Sequence, residues 1–390
     1  MAAVEKTLRD LIEKIAVEQG FKTFDIEIKP ISSGGANYSS VLFLVKISGD
    51  KDDLKLFAKV STMGEKMREN ATIDLFNTER YFYTKLMQIY RDIEERHNIP
   101  AEHRINIPKY YGNNPNYLEE TIVLEDLACQ GFTVYDRTKS IDWAYASTAI
   151  EELAKFHALS YALAKENPEE FETALKSLKF KVEVSDEMQK QIFEKSFKSA
   201  IEAAKDEHKE KLMHYVSKID RQDFEKYKIP MKKPVLCHED YRVSNHMYKR
   251  NEDGSVIIKV MDFQTMQGSS PVVDLFYLVI TGTDEEFRRE HYQRLVEHYY
   301  EQLCAALKRL DINPDDVYSR ADYDEELRKK LPYSLAMAIF LLPLITVETE
   351  DAPVMDEDAD LTSFTIDKVS DIYPERMRGI ISDYVRWGIL

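Results

Sequence analysis

The chain has 390 residues, 44% of them hydrophobic and 32% charged, with a formal net charge of -17. That length exceeds one typical domain, and the acidic balance argues against nucleic acid or an anionic membrane as a general partner. Three scattered cysteines (Cys129, Cys237 and Cys304) argue against a disulfide framework or a zinc cluster, so a reducing, cytoplasmic setting is expected.

From the N-terminus, the charged start Met1–Lys6 is not that of a secretory signal. Val4–Glu18 places Leu8, Leu11, Ile12 and Ile15 on one helical stripe. Phe24–Ile31 alternates like a strand. The loop Ser32–Asn37 separates it from an expected hairpin, Val41–Ile47 and Leu54–Val60. Met67–Gln88 is a long helix candidate, Pro100–Pro108 a loop, and Thr121–Leu124 a short strand. From there the pattern turns helical: Trp143–Leu163, Ser185–Lys218 and Glu285–Arg309. Leu335–Val347 is the longest apolar run. It contains Pro343 and falls short of the roughly 20 residues a membrane span needs, so it reads as a buried helix. Only Val235–Cys237 and Val256–Met261 read as strands in this second part. A strand-rich first third and a helical remainder imply an α+β protein with two lobes, 1–127 and 128–390, and a ligand crevice between them.

Both late strands end in carboxylate-bearing turns. The first leads into His238-Glu239-Asp240 and then Asn245; the second leads into Asp262-Phe263-Gln264, with Asp274 beyond. Phosphoryl transfer needs charge neutralisation and alignment more than covalent help from the protein. Asp240 is the candidate general base. Asn245 and Asp262 are candidate magnesium ligands, because that hard ion prefers oxygen donors. His238 and Asp274 read as structural supports of the loop. Lys59, at the end of an apolar strand, is placed to reach phosphates, and Glu79 on the following helix is its candidate partner. Gly34, Gly35 and Asn37 form a small-residue turn whose backbone N–H groups could approach phosphates. The backbone of Glu125 and Leu127 at the lobe junction could hold an adenine edge. Each piece taken alone has a plain alternative: a turn, a solvated lysine, a wet helix face, an ordinary strand exit.

The order of these pieces resembles a kinase-like fold of the aminoglycoside and choline kinase type. More closely it resembles the ecdysteroid kinase-like family of arthropods, also called the choline-kinase-like (CHK) group. The strings carrying the likeness are Gly35–Ser40, Leu56–Val60, Glu79–Tyr83, Val123–Leu127, Leu153–Ser160, His238–Asn245 and Val260–Gln264. The resemblance implies a bilobal protein-kinase-like fold with a small β-rich N-lobe and a large, mostly helical C-lobe. It implies ATP and Mg2+ as cofactors and a small-molecule alcohol, ecdysteroid-like or xenobiotic, as acceptor. It assigns Asp240 as base, Asn245 and Asp262 to magnesium, and Lys59 with Glu79 to the phosphates. Glu239 stands where the family usually has Gly, and Arg242 is available to compensate its charge. Two alternatives stay open. One is a pseudokinase that binds nucleotide or hormone without chemistry. The other is a choline- or ethanolamine-type kinase.

Overall fold

The computed structural model describes residues 2–31, 40–65, 68, 75–179, 186–219, 226–348 and 368–390. Gly34, Gly35 and Asn37 lie outside these residues, as does the start of the helix expected from Met67.

Helix α1 (Ala2–Glu18) precedes a five-stranded antiparallel sheet. Its strands are β1 (Phe24–Ile31), β2 (Ser40–Gly49), β3 (Leu54–Ser61), β4 (Tyr110–Asn114) and β5 (Thr121–Glu125), in the order β1-β2-β3-β5-β4. Pro30 falls on the edge strand β1, where its missing N–H costs no ladder bond. Leu8, Ile12 and Ile15 of α1 are buried with Phe43, Val45, Ile47, Leu56 and Ala58, closing one sheet face. This is the burial that period-2 strands and a period-3.6 helix should give together.

The next helix is one rod in three parts. It consists of α2 (Leu75–Tyr81), a π-helical turn (Phe82–Leu86) and α3 (Met87–Arg96). It therefore extends eight residues beyond the expected end at Gln88. The π turn lies one turn after Glu79 and turns Phe82, Tyr83 and Leu86 into the core.

The second lobe is mostly helical. Its central helix α4 (Trp143–Glu166) is capped by Asp142, which accepts from Tyr145 N at 2.9 Å. The helix expected over Ser185–Lys218 is two helices, α6 (Asp186–Ala203) and α7 (Asp206–Val216), after the short α5 (Pro168–Ser177). Lys205 is extended at the break, and Asp206 and Glu207 then stand in the first turn of α7, where the helix dipole favours negative charge. Next come α8 (Pro271–Gly282), α9 (Glu285–Arg309), the short α10 (Pro314–Val317), α11 (Arg320–Thr346) and α12 (Tyr373–Arg386). The apolar run at Leu335 belongs to α11, whose 27 residues make it long and apolar enough to cross a membrane by length and composition. It carries Pro332 and Pro343, and Leu335, Ala338, Ile339 and Leu342 are nearly inaccessible within the core.

Five short strands serve the site. β6 (Thr133–Val134), β8 (His246–Arg250) and β9 (Val256–Val260) form one sheet; β7 (Val235–Cys237) and β10 (Gln267–Ser269) form another. The register His246↔Val260 puts Asn245 opposite Met261, and the Met261 N–H donates to the Asn245 carbonyl at 2.9 Å. That pairing brings the two carboxylate-bearing turns side by side. The architecture is the expected one: a β-rich N-lobe and a mostly helical C-lobe.

Candidate active site

Lys59 sits mid-sheet, opposite Leu42 on β2 and Ile122 on β5. Its Nζ lies 2.9 Å from Glu79 Oε2, 2.6 Å from Asp262 Oδ1 and 3.0 Å from Gln264 Oε1. An ammonium has three donors, and here each has an acceptor. Burial alone would pull the Lys59 ammonium down, but the charges of Asp262 and Glu79 outweigh it and hold it above its ordinary value. Glu79 is pushed up to about 7 by burial, against the pull of Lys59 and with Asp262 adding to the rise. Burial would raise Asp262 as well, yet Lys59 keeps it below the usual carboxylate range, helped by His238 and Arg242. The two carboxylates thus share one cation unequally. Asp262, the more exposed, keeps its charge more readily.

Packing produces this convergence. Phe263 stacks on Phe82 with ring centroids 3.5 Å apart and planes within 16°. Phe82 follows Glu79 by three residues and Phe263 follows Asp262 by one. One aromatic contact therefore fixes the helix to the turn that carries the second carboxylate. Asp262 itself has φ 65, the left-handed region that short polar side chains tolerate best.

The Asp240 loop is held from below by Asp274 at the start of α8. Asp274 accepts the backbone N–H of His238 at 2.7 Å and of Glu239 at 2.8 Å. His157 Nε2 lies 3.2 Å from the same carboxylate, and its Nδ1 lies 2.7 Å from the Tyr299 hydroxyl. His238 Nε2 is 2.9 Å from the Met261 carbonyl, so this histidine ties the Asp240 loop to the strand that ends at Asp262. Cys237, His157 and Asp274 are close enough to suggest a metal cluster, but all three are buried and the Asp274 oxygens are already spent on N–H donors.

Asn245 donates through Nδ2 to the Asp240 carbonyl at 2.9 Å and to the Asp240 carboxylate at 2.8 Å. Its Oδ1 remains as the end that could hold a cation. Asn245 Oδ1 and the Asp262 carboxylate are hard oxygens on adjacent, hydrogen-bonded strand ends, and that donor set fits magnesium.

Four features of the site were not read from the sequence. Arg242 was expected to offset Glu239, but its Nε instead lies 3.1 Å from the Asp240 carboxylate. The Glu239 carboxylate pairs at 2.9 Å with Lys228, eleven residues earlier and just before β7. Tyr277 on α8 stands near Asp240, whose charge adds to the burial that holds the Tyr277 hydroxyl well above its ordinary value. Gln264, quoted only as part of a motif, contacts Lys59 directly. Lys59 and Gln264 are 205 residues apart, a separation that leaves no local signal for the pair.

At the lobe junction the Leu127 carbonyl accepts from Gln130 N at 3.0 Å and Phe132 N at 3.2 Å, closing a tight turn. The Glu125 side chain accepts from Lys109 N at 2.9 Å and pairs with Lys259 on β9. Glu125 therefore bridges the lobes through its carboxylate, while its backbone stays in the strand ladder opposite Leu56.

The chain is similar to several known proteins. A protein of Caenorhabditis elegans described as an uncharacterized kinase-like protein is 25% identical over 319 residues, covering 77% of this chain and 80% of that one. Among solved structures, an aminoglycoside-3'-phosphotransferase of type VIII aligns over 84% of this chain and 98% of its own, at 13% identity and a TM-score of 0.32. A glucosamine kinase aligns over 96% and 82%, at 10% identity and a TM-score of 0.40. The sequence profile of the ecdysteroid kinase-like family matches residues 34–312, which takes in Lys59, Glu79, the Asp240 loop, Asp262 and Asp274. With that match spanning well over half its length, the chain belongs to the ecdysteroid kinase-like family of small-molecule phosphotransferases.

Proposed function

We propose that this protein transfers the γ-phosphoryl group of ATP to a hydroxyl of a small alcohol. The observation that carries the reading is the sharing of Lys59 by Glu79 and Asp262, next to the Asp240–Asn245 pair. The acceptor oxygen attacks the γ-phosphorus, the bond to the β-phosphate oxygen breaks, and the hydroxyl proton passes to the Asp240 carboxylate. Asn245 and Arg242 orient that carboxylate from two sides. Lys59 exchanges one protein acceptor for a phosphate oxygen, which its three donors allow. Asn245 and Asp262 would hold magnesium, whose chemistry there is to neutralise charge on the phosphate oxygens. The backbone around Glu125–Leu127 is the proposed seat of the adenine. Membership of the ecdysteroid kinase-like family supports an apolar alcohol, such as a steroid or xenobiotic, as the proposed acceptor. We place the protein in the cytosol, on cysteines that are all unpaired.

A second reading, nucleotide binding without transfer, is favoured by one observation. The Asp240 carboxylate is already engaged by Arg242 and Asn245. Turnover separates the two readings. Purified protein with Mg-ATP and a panel of steroid, xenobiotic and amino alcohols should release ADP and a phosphate monoester in equal amounts. Asp240→Asn should lower that rate by about 10²–10⁴-fold. ATP binding without product across the panel would establish the second reading, and a turnover unaffected in Asp240→Asn would refute the base assignment.

A further inference from the structure

The helical lobe holds a second polar cluster, remote from Lys59. Among the described residues, fourteen buried side-chain atoms have no hydrogen-bond partner; five of these are Arg288 Nη2, Ser370 Oγ, Tyr373 OH, Arg376 Nη1 and Ser382 Oγ. Four belong to α12 or the turn before it, and the fifth faces α12 from α9: a Cβ built on Gly379 would sit 3.5 Å from Arg288 Nη2. All five groups can donate. Among the described residues, no other arginine or lysine donor is orphaned in this way.

The charges point the same way. Arg288 is 3% exposed and Arg376 9%. Arg288 Nε donates to Asp383 Oδ2 at 2.5 Å, its Nη1 donates to the Thr283 carbonyl at 2.5 Å, and Arg386 shares Asp383. Arg376 has one recorded bond, from Nη2 to the Lys139 carbonyl at 3.3 Å, and no carboxylate in ion-pair range. Burial and the neighbouring Arg288 charge both disfavour its ionised form; Asp284 and Glu375 oppose them only from a distance. The Asp284 carboxylate is itself committed to capping α9 at Phe287 N. A buried guanidinium left without a counterion is among the costlier arrangements a fold can carry. Gly379, one helical turn after Arg376, lets Arg288 approach α12 closely: a Cβ there would lie 3.5 Å from Arg288 Nη2 and crowd Glu285 Cβ at 3.0 Å.

We propose that Arg288 Nη2 and Arg376 Nη1 form a binding site for an oxyanion: a carboxylate, sulfate or phosphate group. Two guanidinium forks converging on one oxyanion make charge-assisted hydrogen bonds, and a neutral ligand would leave the charge unanswered. Helix α8 runs from the reaction centre toward this site. Thr283, which accepts from Arg288, stands at the C-terminal end of α8, six residues beyond Tyr277, which feels the Asp240 charge. Six residues advance a helix by about 9 Å. The site therefore stands apart from the phosphoryl-transfer residues, and its occupancy can be measured without turnover.

The test titrates the full chain, without nucleotide, with inorganic phosphate and separately with hexanoate at constant ionic strength. Binding is followed by calorimetry and by thermal melting. Sulfate and phosphate stabilise most proteins by exclusion, so saturation and the contrast between variants carry the result. Wild type should bind saturably, and Arg376→Gln should weaken binding about tenfold or more. Arg386→Gln removes an equal charge from the half-exposed rim and should leave affinity within about threefold. In chloride alone, Arg376→Gln should melt no lower than wild type, because it relieves an unpaired buried cation. Tighter phosphate than hexanoate would mark a free inorganic ion as the source; the reverse would mark an organic acid. Equal affinity in wild type and Arg376→Gln, or no saturation by either anion, would overturn the proposal. Arginine side-chain ¹⁵N resonances in the wild type give an independent reading: shifts in two buried guanidinium signals support the site, and their constancy under titration refutes it.

Discussion

Lys59→Met exposes the electrostatics of the site. The substitution keeps most of the apolar stem and removes the one cation shared by Glu79 and Asp262, whose side chains are 2% and 23% exposed. Deleting one partner of a buried ion pair costs about 3–5 kcal/mol, because the remaining charge is stranded. Glu79 sets the pH dependence. Its folded value of about 7 lies above its ordinary 4.5, so its favourable contribution is full below about 4.5 and is lost as pH rises through the folded value. In the wild type that loss, about 1.4 kcal/mol per pH unit, stops growing near 7. Without Lys59, which lowers it, the folded value climbs and the loss continues into alkaline solution. Urea unfolding without nucleotide should therefore show a deficit of about 3–5 kcal/mol near pH 8 and a clearly smaller one near pH 5.5. Adding Glu79→Gln to Lys59→Met should recover most of the alkaline deficit. A deficit under about 1 kcal/mol near pH 8, or one equal at both pH values, would refute the shared-cation reasoning.

Three other substitutions have definite expected outcomes. Asp274→Ala leaves the N–H groups of His238 and Glu239 buried without acceptors, and should cost about 2–5 kcal/mol by chemical denaturation and abolish turnover. Phe82→Ala removes the ring stacked on Phe263; a loss of about 3–5 kcal/mol is expected, with weaker nucleotide binding by calorimetry, and unchanged binding would detach the stack from the site. Lys228→Ala strands the Glu239 carboxylate and should lower the melting temperature. Adding Glu239→Gly should then raise it again, since glycine suits φ 64 and carries no buried charge; a further fall on adding glycine would contradict this.

Much of the site was legible because its residues sit at fixed intervals from strand ends. His238, Asp240 and Asn245 follow β7, Asp262 follows β9, and Lys59 precedes the end of β3, so spacing alone flagged them. The partners of these residues were less legible. Lys228 and Tyr277 reach the Asp240 loop from other elements, and nothing in their local sequence marks them. Arg242 was seen and given the wrong carboxylate, because sequence adjacency to Glu239 says nothing of direction in a loop where Glu239 is left-handed. Strand β8 was missed since His246-Met247-Tyr248-Lys249-Arg250 mixes polar and aromatic residues on a partly exposed sheet. The turn at Asn251–Ser255, with Gly254 at φ 84, was the available hairpin signal. The break at Lys205 has neither Gly nor Pro to announce it. The proposed oxyanion site shows how little a sequence conveys about satisfaction: nothing in the local sequence marks Arg288 and Arg376, and only their burial sets them apart.

The most direct test of the account is divalent-ion binding at the Asp240–Asn245–Asp262 turn pair, measured with Mn2+ and a non-hydrolysable ATP analogue by electron paramagnetic resonance. The account predicts Mn2+ bound with the nucleotide in the wild type, and loss of that bound ion in Asp262→Ala and Asn245→Leu. Retention of Mn2+ at wild-type affinity in both variants would contradict it.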